Sequence, residues 1–294
     1  MTIPKVDLTQ RPDVTGFFDP GSNTITYVVR DPTSTACAII DPVMEFDLAA
    51  GRLTFESADQ IIAYIGENKL TLEWIIETHV HADHLSAAPY LQQKLGGKIG
   101  IGEHVQTVQD TFGKIFNEGT EFQRDGSQFD VLFSDGATYQ LGSLSCFALH
   151  TPGHTPACMV HVIGDAVFVG DTLFMPDGGS ARADFPGGDA GQLYDSIQRV
   201  LSMPDEMRLF ICHDYGPGGR AIAWETTIGE QKAKNIHVGE GKTRDEFIKF
   251  RTERDAQLAV PKLILPSLQV NMRAGEVPED PDGNMMLKTP INKL

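Results

Sequence analysis

No Cys-x-x-Cys pair occurs in this chain: its four cysteines, Cys37, Cys146, Cys158 and Cys212, stand far apart. That spacing excludes a zinc ribbon and gives no sign of a disulfide framework, so all four read as buried, reduced thiols. Long apolar runs are missing as well. None approaches the ~20 residues that a membrane-spanning helix needs, which removes a membrane as partner. Positive charge is scarce, with 24 lysines and arginines against 40 acids and a formal net charge of -16. Binding to DNA, RNA or an anionic surface draws on a basic face that releases counterions, and this balance supplies none. The opening segment Met1-Thr-Ile-Pro-Lys-Val-Asp7 has neither a basic stretch before an apolar core nor a small-residue cleavage site. The expected compartment is therefore the cytoplasm. No repeat or low-complexity stretch is visible, and the 29 glycines and 17 prolines fall as turn punctuation rather than as linkers.

What is present is ordinary for a folded protein. The 294 residues are 41% hydrophobic and 22% charged, enough for one large layered domain or two modest ones. Ile25 to Arg30 and Ala36 to Ile40 are rich in β-branched residues, which predicts two strands joined by an Asp31-Pro32 turn. Ser57 precedes a run from Ala58 to Glu67 in which Ile61, Ile62 and Ile65 recur at helical spacing, so a helix capped by Ser57 is expected. Leu72 to Glu77 reads as a buried strand ending where a histidine cluster begins, and Leu85 to Leu95 as a helix stopped at Gly96-Gly97. Further strands are expected at Leu144 to Leu149, Cys158 to Ile163, Ala166 to Val169 and Arg208 to Cys212, with a helix from Ala190 to Leu201. His154 follows the first of these strands, Asp171 the third and His213 the last. Four loops would then converge at one sheet edge, the place where layered α/β folds carry function. Ile222 to His237 and Thr243 to Gln257 read as helices, the second opened by a Thr243 and Glu246 capping box. The expected division is a catalytic domain over 1–240 and a C-terminal helix and tail over 241–294.

Chemistry concentrates in His79, His81, Asp83 and His84, four imidazole or carboxylate groups within six positions. Packing them together without a cation would leave polar groups in need of partners. A metal supplies those partners. Imidazole and carboxylate suit zinc or iron better than calcium or magnesium, and the absence of cysteine ligands removes the usual structural-zinc reading.

The run Thr78-His-Val-His-Ala-Asp-His84 matches a His-x-His-x-Asp-His signature, and Thr151-Pro-Gly-His154-Thr-Pro, Gly170-Asp171-Thr-Leu-Phe and Cys212-His213-Asp-Tyr follow in matching order. On these motifs, over roughly residues 15 to 235, the chain resembles the metallo-β-lactamase superfamily. That resemblance implies an α/β (α+β) fold, an αββα sandwich with its metal site at one edge of the β-layers. The reaction stays open, because the fold hosts many chemistries. In two-metal members the pattern assigns His79, His81 and His154 to one ion, Asp83, His84 and His213 to the other, and Asp171 as the bridge. This is the arrangement of glyoxalase II, and it implies two zinc ions and thioester hydrolysis.

Three stretches are more similar to the persulfide dioxygenases, relatives of glyoxalase II that keep one iron: Glu77-Thr-His-Val-His-Ala-Asp-His-Leu-Ser86, Ala181-Arg182-Ala-Asp184-Phe185 and Cys212-His-Asp-Tyr215. This closer likeness implies one Fe(II) per chain on His79, His154 and Asp171, a facial set that leaves room for sulfur and dioxygen side by side. The implied reaction turns glutathione persulfide, O2 and water into sulfite and glutathione, within sulfur metabolism or hydrogen sulfide detoxification. His81, Asp83, His84 and His213 would then orient the ligands through hydrogen bonds.

Glutathione brings two carboxylates to an acidic protein, so a local cation is required. Arg182 is the leading candidate, able to hold a carboxylate with a bidentate fork, although Asp184 two residues away is a competing partner. Arg220, after Gly216-Pro-Gly-Gly219, is a second anchor, and Tyr215 would bring its hydroxyl near the metal. The apolar tail from Pro261 to Met272 is expected to pack on the body or on a neighbouring subunit, which makes a homodimer the expected assembly. Other classes fit less well. A metal-binding or sulfur-carrier protein predicts a closed coordination sphere. A diiron electron-transfer protein needs a flavin-binding loop, which is missing here. A β-lactamase needs export, and a nuclease needs a basic track.

Overall fold

Runs of β-branched and apolar residues become the strands of two facing sheets in the computed structural model, which describes residues 3–293. The first part of the chain forms β1 (Asp13–Asp19), β2 (Thr24–Arg30), β3 (Ala36–Ile40), β4 (Val43–Asp47), β5 (Arg52–Thr54), α1 (Glu56–Glu67), β6 (Thr71–Ile76), β7 (Leu85–Ser86), α2 (Ala88–Leu95), β8 (Lys98–Gly102), α3 (Val105–Ile115) and β9 (Val131–Phe133). The second part forms β10 (Thr138–Leu141), β11 (Leu144–His150), β12 (Met159–Ile163), β13 (Ala166–Phe168), α4 (Ala190–Leu201), β14 (Arg208–Phe210), β15 (Glu225–Thr227), α5 (Ile228–Lys234), α6 (Arg244–Asp255) and α7 (Ile264–Asn271). One sheet has the order β1-β2-β3-β6-β8-β9, the other β10-β11-β12-β13-β14-β15, and a small third sheet runs β5-β4-β7.

Three cores show how the layers stack. Ile61 and Ile65 of α1, Leu91 of α2 and Val108 and Phe112 of α3 pack on Val28, Ile39, Ile75 and Ile101 of the first sheet. Ile25, Tyr27, Ile40 and Ile76 on its other face meet Leu144, Ile163, Phe168 and Phe210 of the second sheet. Leu193, Ile197 and Val200 of α4 then cover Leu149, Val160, Val167 and Leu209 on that sheet's outer face. The order helix, sheet, sheet, helix follows from strands whose alternate residues are apolar on both faces, and it is the expected sandwich.

Local departures have tertiary causes. α1 starts at Glu56 with Phe55 at its N-cap position, so Ser57 lies inside the first turn rather than capping it, and its amide donates to Glu45 Oε1. The helix expected from Leu85 begins at Ala88. Leu85 and Ser86 first pair with Met44 and Val43 as a short strand. The helix expected from Ile222 is confined to Ile228–Lys234, since Glu225–Thr227 pairs with Arg208–Phe210 to finish the second sheet. The Thr243 and Glu246 capping box and the positive φ of Gly96 and Gly97 are as expected. The tail folds back as α7, with Leu268, Val270 and Met272 in the first core. An unpartnered tail was the ground for expecting a homodimer, and intramolecular packing removes it. No helix among the described residues is long and apolar enough to cross a membrane.

Candidate metal centre

Four loops leave strand ends at one edge of the sandwich and bring all seven candidate ligands together. Residues 77–84 follow β6, His154 follows β11, Asp171 sits in a 3-10 turn after β13, and His213 follows β14. Asp171 Oδ2 lies 3.5 Å from His154 Nε2 and 4.0 Å from His79 Nε2. Its Oδ1 lies 3.3 Å from His213 Nε2, which is also 3.5 Å from Asp83 Oδ2. In each of the trios His79, His154, Asp171 and His81, Asp83, His84, one ligating atom per residue lies within 4.8 Å of the others.

The hydrogen-bond pattern tests whether these residues fit a metal. Each ring is tethered through one nitrogen: His79 Nδ1 to Thr78 Oγ1 at 3.1 Å, His81 Nε2 to Asp41 Oδ1 at 3.0 Å, and His154 Nδ1 to the Arg182 carbonyl at 2.7 Å. His84 Nδ1 and His213 Nδ1 reach Thr24 Oγ1 at 3.2 and 3.3 Å. The opposite atoms, His79 Nε2, His81 Nδ1, His84 Nε2, His213 Nε2 and Asp171 Oδ1, are buried and have no hydrogen-bond partner. Buried polar atoms are rarely orphaned, and tethering one imidazole nitrogen while aiming the other inward is how metal-binding histidines are oriented. Cys212 also lies within 4.8 Å of His81 and His213, but burial pushes its thiol well above its ordinary range and it donates to Asp41 Oδ2; the seven candidates offer imidazole nitrogen and carboxylate oxygen, a set that fits zinc or iron.

Electrostatics differ across the cluster. Burial pushes His79 and His81 well below the usual histidine range, so both rings are neutral and offer lone pairs. Burial acts against the Asp83 charge, yet His213 and His84 beside it hold its carboxyl well below the usual carboxylate range. For His213 burial pulls down, and Asp171 and Asp83 outweigh it and raise the ring above its ordinary value.

Two supporting residues were missed by motif reasoning. Asp41, in a left-handed conformation directly after β3 (φ 51°), accepts from the Thr78 amide and hydroxyl at 2.7 and 2.9 Å as well as touching His81. An Asp-Pro at a strand end was the only available signal. Thr24, fully buried, joins His84 and His213 across the sheets, and nothing in the sequence marks it.

Above the cluster lies a cleft of about 1040 Å³ whose floor includes Asp83, His154, Asp171 and His213 and whose walls include Phe174, Phe185, Ile236 and Leu263. The three substrate candidates fare differently. Tyr215 lines the cleft, 60% exposed, with its ring stacked toward His213. The Arg182 fork is taken by Asp184, with bonds of 2.6 and 2.8 Å, and by the Ala259 carbonyl. Arg220 is likewise held by Asp177 and Asp214. Two exposed cations at the cleft, Arg254 and Lys262, make no ion pair among the described residues; they come from the C-terminal segment, far from every motif.

Two β-sheets packed face to face between helices, with a buried histidine and aspartate cluster at their shared edge, define a class of metal-binding sandwich proteins. The pattern common to the metallo-β-lactamase superfamily matches residues 19–213, and the chain belongs to that superfamily. It is 54% identical over 292 residues to a probable metallo-hydrolase of Burkholderia pseudomallei, covering 96% of this chain and 99% of that one. It is 50% identical to a β-lactamase hydrolase-like protein of Xylella fastidiosa over 97% of its own length, but spans only 66% of that longer relative. Glyoxylase B2 of Dictyostelium discoideum is 49% identical, with 91% and 92% coverage. The mitochondrial persulfide dioxygenase ETHE1 of Bos taurus is 28% identical, with 88% and 87% coverage. Among solved structures, ETHE1 from Myxococcus xanthus superposes with a TM-score of 0.71 at 31% identity, covering 90% of this chain and all of that one.

Proposed function

We propose that this protein is a glutathione-dependent persulfide dioxygenase working with one Fe(II) per chain. The observation that carries the reading is the trio His79 Nε2, His154 Nε2 and Asp171 Oδ2 beneath an open cleft. Two imidazoles and one carboxylate grip a metal on one side and leave the other side to incoming molecules. Iron bound there would supply the redox chemistry that brings persulfide sulfur and dioxygen together. The reaction consumes one persulfide, one O2 and one water, breaks the sulfur–sulfur bond, and releases glutathione, sulfite and protons. The likeness to ETHE1 from Myxococcus xanthus and to the mitochondrial persulfide dioxygenase supports this choice.

The chain's own groups have separable tasks. Thr78 Oγ1 and the Arg182 carbonyl fix the two ligand rings. His81, Asp83, His84 and His213 surround the trio and hold its charge. Phe174 and Phe185 make part of the cleft wall apolar. Arg254 and Lys262 meet the glutathione carboxylates, a task for which the paired Arg182 and Arg220 have no free fork. Exposed ion pairs contribute ~0.2–1 kcal/mol each, so replacing both Arg254 and Lys262 by alanine should raise KM for the persulfide about fivefold and leave kcat nearly unchanged. Steady-state kinetics check this, and an unchanged KM removes the pair as anchors.

A second reading has its own support. Asp171 faces both halves of the centre, and His84 Nε2 and His213 Nε2 are as free as His79 Nε2. That arrangement suits a two-zinc hydrolase of glutathione thioesters, in keeping with the relatives from Burkholderia and Dictyostelium. Oxygen consumption separates the two. Protein purified anaerobically and loaded with Fe(II) should take up one O2 per glutathione persulfide and release sulfite. Thioester turnover on two zinc ions without oxygen uptake would decide for the hydrolase.

A further inference from the structure

We infer that Asn271, on the C-terminal helix α7, is a positioning residue for the metal centre, clamping the backbone of the histidine loop from outside the region that matches the superfamily. The inference rests on the metal-centre reading and is independent of which reaction occurs there.

Asn271 Nδ2 donates to the carbonyls of His81 at 2.9 Å and of His84 at 2.8 Å, and its Oδ1 accepts from the Ser86 amide at 2.8 Å. Both amide hydrogens and the amide oxygen are thus committed to one short stretch of chain. His81 and His84 lie between β6 and β7, outside any strand or helix, so their buried carbonyls must find partners elsewhere, and Ser86 ends β7. Asn271 is itself buried, and α7 is seated by Leu268 and Val270 in the same core as Val80 and Leu85. The amide therefore sits on a rigid support rather than on a loose tail.

His81 and His84 stand at different places in the centre. His81 is tethered by Asp41, while His84 shares Thr24 with His213. By bonding the carbonyls of both, Asn271 sets the spacing and tilt of the two rings relative to each other. Outer groups of this kind change metal affinity by ~10 to 100-fold when removed. The superfamily match ends at residue 213, so the C-terminal segment contributes a part of the centre that the shared pattern does not contain.

Gln269 provides the matched control. It lies two residues earlier on the same helix, is buried, and also makes three amide bonds, to the Leu265 carbonyl and to the backbone of Lys288, away from the histidine loop. Co(II) serves as the probe, read by competition titration and by its visible absorption, with thermal unfolding in parallel. Asn271→Leu should weaken Co(II) binding about 10 to 100-fold and shift the visible bands, whereas Gln269→Leu should lose comparable thermal stability and keep Co(II) affinity within about twofold. If the leucine variant does not fold, Asn271→Ser, which lets water reach the freed carbonyls, should weaken binding about tenfold. Parent-like Co(II) affinity and spectrum in the folded Asn271 variant, or an equal loss in Gln269→Leu, would overturn the assignment. Failure of the parent protein to bind Co(II) at all would overturn the metal-centre reading as well.

Discussion

Alanine in place of Asp171 should leave a folded protein that neither retains metal nor turns over. Its carboxylate is within 4.0 Å of His79 Nε2, His154 Nε2 and His213 Nε2 and is the anion that these three rings share. Without it two imidazoles, His79 and His154, remain on one side of the centre, too few to hold a divalent ion that has lost its charge-compensating ligand. Loss of metal removes the whole catalytic contribution, on the order of 10³-fold or more in activity. The turn bearing Asp171, Gly170–Thr172, is held by backbone bonds and by Thr172 Oγ1 to Thr151 Oγ1 rather than by the carboxylate. Circular dichroism should therefore match the parent. Metal analysis after gel filtration checks the claim, and parent-level metal in the variant would refute it.

Alanine in place of Gly153 should fail for a different reason. Gly153 has φ +140°, and a Cβ there would stand 2.2 Å from the Leu193 backbone nitrogen and 2.3 Å from its Cα. Backbone cannot yield as the end of a flexible side chain can, so α4 would have to move off the loop that presents His154. Strain at such a φ together with the clash should cost about 3 kcal/mol or more of stability. Gly136 is the comparison: its φ is also positive, +78°, but a Cβ would meet nothing within 4 Å, so Gly136→Ala should lose only about 1 kcal/mol. Denaturant unfolding of the two variants checks the contrast, and equal losses would show that the approach of Leu193 does not matter.

The candidate ligands were legible because a cluster of this kind shows in side-chain type. His79, His81, Asp83 and His84 cannot share a loop comfortably without a cation, and His154, Asp171 and His213 each follow a strand whose apolar run is plain. The layered fold was legible for the same reason, since its strands are long apolar stretches punctuated by turns. Element edges were less so: Ser86 becomes part of a strand only because Met44 lies beside its neighbour, and Ser57 falls inside the first turn of α1 rather than capping it. Support residues were hidden by sequence distance. Asp41 meets Thr78 across 37 positions and Asn271 meets His81 across 190, and neither pairing leaves a periodic or local trace. Whether the two arginines near the motifs have free forks was not legible in the sequence. Arg182 and Arg220 stand near the motifs, but near neighbours also include Asp184, Asp177 and Asp214, which claim them first. Arg254 and Lys262 reach the same cleft from a helix and a tail that no motif touches.

Anomalous scattering at the iron and zinc edges, from crystals of protein purified without oxygen, distinguishes one iron from two zinc ions at this centre. One iron peak is expected, within coordination distance of His79 Nε2, His154 Nε2 and an Asp171 carboxylate oxygen. Two zinc peaks of equal height on either side of Asp171, one of them held by Asp83, His84 and His213, would contradict it.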